Sequence, residues 1–253
     1  MAIFICAQAV GAAAQEDKGV IVNYLQDALS GLGRDVQIEG FSGALSARAQ
    51  MDRLTIADDE GIWLTLDGAV LDWNRTAVLR GRVEINEISA ERIELLRLPT
   101  ASGSPSAEAG VFSLPDLPVS LRIDAITAPE VILGASVLGE PVVASISGAA
   151  MLASGEGSAA LAITRKQGPR GTFDLSAAFS NETRVLAVDL SLDEAAGGLA
   201  ATLLGLPDTP AVQLTIAGDA PLDDFTADIR LASDGAERLV GAITTQTAPE
   251  ATP

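Results

Sequence analysis

The chain has 253 residues, 48% of them apolar, with a formal net charge of −18 and no histidine. That balance excludes a nucleic-acid face, which needs clustered Lys and Arg, and charge-driven docking on an anionic membrane. Without histidine, Ser-His-Asp and Cys-His catalysis are ruled out, and the single cysteine, Cys6, permits neither an internal disulfide nor a Cys/His zinc site.

Residues 1–14 form a signal-like apolar segment. They are too few to span a bilayer, which takes about 20 residues. Ala12-Ala13-Ala14 ahead of Gln15 fits the small-residue site at which secretory signals are cut, although no basic residue precedes the apolar run. The competing reading is the apolar N-terminus of a cytosolic protein. Val20, Ile21, Tyr24, Leu25, Ala28, Leu29 and Leu32 then share one helical stripe, which Gly31 and Gly33 end. The spacing predicts an amphipathic helix over 18–30 that packs on a core or caps one end of a β-groove.

Residues 15–99 join this helix to a first β unit. VQIEGF at 36–41 reads as a short strand, and 42–50 as irregular. Ile62, Leu64 and Leu66 alternate with Trp63, Thr65 and Asp67, the period of a strand with one dry and one wet face. Gly68 interrupts the alternation and Val70 and Leu71 blur its parity, so a bulge or bend is expected there. Asp58-Asp59-Glu60-Gly61 reads as a turn, because it lacks the alternating acids and distal Glu of a calcium loop. The alternation returns at Val83 and Ile85. Ile88 falls out of phase, predicting a turn within 87–91 before Ile93 and Leu95 begin a new strand. Trp63 and Trp73 read as packing anchors. Asn74-Arg75-Thr76 and Asn181-Glu182-Thr183 match glycosylation sequons, which are short enough to arise by chance.

The segment VEINEISAERIEL at 83–95 aligns without a gap on LRIDAITAPEVIL at 121–133. Val83 matches Leu121, Ile85 matches Ile123, Ile88 matches Ile126, Ile93 matches Val131 and Leu95 matches Leu133. A looser copy precedes them at Met51, Asp52, Leu54 and Ile56. Such repetition implies strand–turn–strand units that bury their apolar faces by lying side by side. The alternative is two hairpins of convergent sequence.

Residues 100–117 are rich in Ser, Ala, Gly and Pro and read as a linker. From 118 to 246 the chain is a succession of strands. Their apolar sets include Val142, Ala144, Ile146; Ala159, Leu161, Ile163; Phe173, Leu175, Ala177, Phe179; and Leu186, Val188, Leu190, Leu192. A short helix at 199–204 leads to Val212, Leu214, Ile216; Phe225, Ala227, Ile229, Leu231; and Leu239, Ile243. Turns such as Gln167-Gly168-Pro169-Arg170-Gly171 separate them. Residues 247–253 are expected to be a disordered tail.

About a dozen strands, each with one apolar face, make a sheet roughly 50 Å wide at about 4.8 Å per strand. A helix of about 20 Å cannot cover that face. The sheet must therefore close as a sandwich or barrel, which pattern alone favours, or curl into a groove with an apolar lining.

The run IEGFSGAL…DRLTIADDEGIWLTLDGAVLDWN…LRGRVEINEISAERIELLRLP from Ile38 to Pro99 resembles the N-terminal region of the TamB family. GLAATLLGLP and GDAPLDDFTADIRL are also similar to alphaproteobacterial TamB. TamB is the inner-membrane-anchored subunit of the translocation and assembly module, within the AsmA-like, bridge-like lipid transfer group. The resemblance implies a mainly β fold: an elongated, curled antiparallel sheet, taco-like, of repeated strand–turn–strand units with one N-terminal amphipathic helix. It implies a periplasmic groove that shields phospholipid acyl chains between inner and outer membrane. The implied partner is a TamA-like outer-membrane barrel, served in outer-membrane protein assembly. The family's TamA-engaging C-terminal domain has no counterpart in this sequence, so a fragment of a longer protein is expected. The candidate lining residues are Ile62, Leu64, Leu66, Val83, Ile85, Phe173, Leu175, Leu186, Val188, Leu190, Leu192, Val212, Leu214 and Ile216. A competing function is a β-scaffold whose exposed strand edges pair with substrate strands. No cofactor, metal or catalytic residue is expected, since the carboxylates of Asp58-Asp59 and Asp223-Asp224 sit in turn-like contexts.

Overall fold

Alternating apolar and polar residues, punctuated by Gly, Asp and Asn turns, produce strands in series. The computed structural model describes residues 35–43, 47–78, 80, 82–99, 113–115 and 120–246. The signal-like segment, the helix expected over 18–30, most of the 100–117 linker and the 247–253 tail lie outside these described residues.

The first half contains β1 (Asp35–Glu39), β2 (Arg48–Asp58), β3 (Gly61–Trp73), β4 (Arg82–Ser89), β5 (Arg92–Leu95) and β6 (Ser120–Leu133). The second contains β7 (Val142–Ala153), β8 (Glu156–Arg165), β9 (Gly171–Ser180), β10 (Val185–Glu194), β11 (Val212–Pro221), β12 (Asp224–Ser233) and β13 (Ala236–Gln246). Short helices α1 (Arg75–Val78), α2 (Ala135–Leu138) and α3 (Leu199–Leu203) occupy connections.

All the strands among the described residues belong to one 13-stranded sheet. The order is β1-β2-β3-β4-β6-β7-β8-β9-β10-β11-β12-β13, with β5 between β3 and β6. The sheet is elongated, curled and mostly antiparallel. Its path ends at β1 on one side and β13 on the other, so it is not a closed barrel. No second sheet faces it among the described residues, so the sandwich that pattern alone favours does not form.

The repeat has a direct structural meaning. β4 and β5 both pair with β6 in parallel, with Val83 opposite Leu121, Ile85 opposite Ile123, Ile88 opposite Ile126, Ile93 opposite Val131 and Leu95 opposite Leu133. The gapless sequence alignment is the strand register. The looser copy falls into line through β3: Leu54 pairs with Leu66 and hence Ile93, and Ile56 with Leu64 and hence Leu95.

The turn expected within 87–91 is corrected. β4 and β5 run in the same direction, both antiparallel to β3, and are separated by a break at Ala90 and Glu91. The chain kinks without reversing, because the amides there keep ladder-like partners: Ala90 N donates to Thr127 O at 3.1 Å and Glu91 N to Asp67 O at 2.9 Å. Opposite the break, Gly68 has φ +61°, and a Cβ there would meet Glu91 Cγ at 2.6 Å. This is the bend, not a bulge, expected from the blurred parity of Val70 and Leu71: the pairing of β3 with its neighbours keeps its register across Gly68, and its register shifts lie at Ile56/Ala57 and Asp72/Trp73. The matching irregularities in β6 fall between Ile123 and Ile126 and between Ala128 and Val131.

The Asp58–Gly61 turn forms as expected. Arg97 clamps it, donating to both carboxylate oxygens of Asp58 and to Gly61 O at 2.7 Å. The hydrogen bond to Asp58 raises the Arg97 pKa above the ordinary arginine value. The predicted helix near 199–204 appears as α3.

Candidate apolar groove

In a β ladder, directly paired residues project from the same side of the sheet. The register therefore sorts the candidate lining residues into rows. Phe173, Leu192 and Leu214 are successive partners, flanked by Ile163 and Leu231. Leu175, Leu190 and Ile216 form the next row, flanked by Leu161 and Ile229. A third row runs from Ile85 through Ile123, Ala150, Ala159 and Ala177 to Val188. A fourth runs from Val83 through Leu121, Leu152, Gly157 and Phe179 to Leu186. Leu64 heads a row through Leu95 and Leu133 to Val142, and Leu66 one through Ile93 and Val131 to Ala144. The candidates thus share one face. Val212 stands at its border opposite Glu194, and Ile62, 49% exposed, lies outside the rows.

Most of these side chains are half-buried, as expected where neighbours in the sheet cover their flanks and nothing covers their tips. Full burial occurs within the rows at Val131, Ala144 and Phe179 and where a row meets a rim. Val212, 1% exposed, packs with Ala200 and Ala201 of α3, and Leu192, Leu206 and Leu231 close around them. Glu194 anchors this cap: its Oε2 accepts from Ala200 N at 2.5 Å, and its Oε1 lies 3.3 Å from Arg165 Nη1. Arg165 also reaches Glu140 at 2.9 Å. The buried carboxylate is thereby paired and hydrogen-bonded, as a charge bordering apolar surface must be. Leu203 and Leu204 are exposed on the outer side of α3.

The opposite rim carries a feature that alternation cannot reveal. Leu114, from the 113–115 segment, sits over Gly157, with Cδ1 2.8 Å from where a Cβ on that glycine would lie. The Asn181 amide holds it from both sides, accepting from Leu114 N at 2.8 Å and donating to Leu114 O at 2.9 Å. The sequence signals were faint: one glycine inside an alternating strand and one leucine in a Pro-rich stretch.

Two shallow depressions, of about 850 and 360 Å³, lie among β6–β11. The larger is bordered by residue pairs such as Ala149 and Met151, Ser158 and Ala160, and Ser176 and Ala178, which alternate with the apolar rows. The depressions therefore belong to the small-residue, polar face. Of the candidate lining residues, Val188 borders the larger and Leu175 the smaller.

Both sequon asparagines are structurally engaged. Asn74 Nδ2 donates to Glu84 Oε2 at 2.8 Å, while its Oδ1 accepts from Thr76 N and Oγ1 at 3.1 and 2.8 Å. Trp63 Nε1 is buried and makes no hydrogen bond. Among the described residues there is no group of three His, Cys, Asp or Glu side chains fit for a metal, and no helix long and apolar enough to cross a membrane. The chain matches no family model, no curated protein and no solved structure.

Proposed function

We propose that the apolar face shields lipid acyl chains, as a segment of a periplasmic groove carrying phospholipid between inner and outer membrane. The observation that supports this best is the alignment of half-exposed Leu, Ile, Val and Phe in continuous rows across a single open sheet. A face with so much apolar area needs cover, and each buried acyl methylene contributes about 0.8 kcal/mol. The TamB-like sequence run agrees with this reading, and with support for outer-membrane protein assembly beside a TamA-like barrel. The chemistry is binding rather than catalysis. The deciding experiment is expression in a periplasm, purification without detergent, and mass spectrometry of extracted lipid. Phospholipid in reproducible stoichiometry supports the proposal; folded protein free of lipid overturns it.

A second reading has its own supporting observation. β13 is the last strand of the sheet path, and residues 236–245 are exposed along its whole described length. Its charges, Glu237 and Arg238, and its bulge at Arg238 lie at its start, so residues 239–245 form an uncharged, regular edge. On this reading the edge pairs with strands of client proteins. A proline at Ala242 would abolish client crosslinking on this reading and leave lipid content unchanged.

A further inference from the structure

The row Leu121–Leu152–Gly157–Phe179–Leu186 is apolar and continuous except at Gly157, where no side chain projects. A glycine inside a strand weakens it and marks close approach by another group. Here the approaching group is Leu114, whose Cδ1 and Cδ2 lie 2.8 and 3.5 Å from the glycine's absent Cβ position. Ser113 and Pro115 on either side are exposed, while Leu114 is half-buried. Its neighbour in the row, Phe179, is buried at 7% exposure. The leucine enters the sheet's face from outside the strands, and its backbone is clipped by the amide of one residue, Asn181.

The geometry points to the Gly157 gap as an acyl-chain subsite, with Leu114 as its resident occupant when no lipid is bound. This rests on the lipid-shielding reading and deepens it. The gap is walled by Leu152 and Phe179 and is floored by bare backbone, so it accepts an apolar chain and offers little to a polar one. A leucine side chain is a short branched alkane, close in chemistry and girth to a few methylenes of an acyl chain. Because Leu114 is tethered by two hydrogen bonds to one side chain, a long chain lying along the row can displace it without unfolding any strand. The Asn181 clip then sets how readily the subsite opens.

The test is a titration with cis-parinaric acid, a fluorescent long-chain fatty acid, on the full chain. Leu114→Gly empties the gap and keeps the clip; Asn181→Ala removes the clip and keeps the leucine. Each should bind the probe about tenfold more tightly than wild type, as expected when an occupant present in roughly nine molecules of ten stops competing. Adding Gly157→Val to Leu114→Gly fills the gap with a side chain that cannot leave and should weaken binding to below the wild-type level. Circular dichroism of Leu114→Gly, whose change lies outside the strands, confirms an intact sheet. Unchanged affinity in Leu114→Gly overturns the subsite, while saturable wild-type binding still upholds the lipid-shielding reading. Absence of saturable binding in every form overturns both.

Discussion

Ile85 lies directly beside Ile123 on the neighbouring parallel strand, and the two are also equivalent positions in the two copies of the sequence repeat. Equivalent residues meeting across a ladder means that the copies stack in register. Each lays its apolar residues on the same face, and each kinks where the other does. A register slip of one residue would turn every side chain of a copy to the wrong face.

Replacing 83–89 by the sequence of 121–127 should therefore leave a folded protein, since the register and the facing residues are kept. Deleting Thr127 from β6 should not, because pairing there is regular on both sides and the residues on one side of the gap change face. Far-ultraviolet circular dichroism and a thermal melt distinguish the cases: a cooperative transition near wild type for the exchange, and a lost or broadened one for the deletion.

Gly68→Val should destabilise the protein by about 1–2 kcal/mol, the cost of a branched side chain in the left-handed region. Combining it with Glu91→Ala relieves only the contact at 2.6 Å, so most of the loss should persist in urea unfolding of the double variant.

The second half of the sheet was legible because β7–β13 keep strict alternation and carry turn residues at each reversal. The Leu186–Leu192 and Phe173–Phe179 sets could be read directly onto one face. The first half was partly legible. Sequence alignment found the repeat, but local pattern does not distinguish a hairpin from a kinked strand with a parallel neighbour. The phase change at Ile88 was therefore read as a turn. Gly68 could be placed because a glycine interrupting an alternating run marks a bend. Leu114 over Gly157 left only a faint signal, since it depends on a contact between a linker and a distant strand. The Glu194–Arg165 pair was missed for a similar reason: the register brings the two residues together across β9, at the border of an apolar face.

Val188→Asp places a carboxylate in the third row, in the middle of the Leu186–Leu192 set, and should remove most co-purified lipid. Asp189→Ala, a change on the opposite face, should leave the lipid content at the wild-type level. Lipid mass spectrometry on the two purified variants checks the sidedness, and equal retention by both would refute it.

Glu194→Ala leaves Ala200 N without its acceptor and takes from Arg165 one of its two carboxylates. The expected cost is about 3 kcal/mol, at the low end for breaking a buried pair because Glu140 remains. Urea denaturation measures it, and limited proteolysis should show early cleavage within 195–211.

Asn74→Ala removes the acceptor at the start of α1 together with the bond to Glu84. A loss of about 1–2 kcal/mol is expected from the cap alone. Asn74→Asp retains the acceptor but faces Glu84 with a like charge, so in urea unfolding its stability should fall between alanine and wild type.

Because each strand packs chiefly against its two neighbours, the sheet behaves as a one-dimensional array. Such an object can be lengthened by duplicating a unit, since a new copy inherits its register from the one beside it and no central core has to be redesigned. The parallel pair of β4–β5 and β6 has the form that such a duplication would leave. The same arrangement makes loss of structure local. Unfolding should begin at the two ends of the path, β1 and β13, each with one strand neighbour among the described residues, and travel inward strand by strand, leaving the strands between them the last to open in hydrogen exchange.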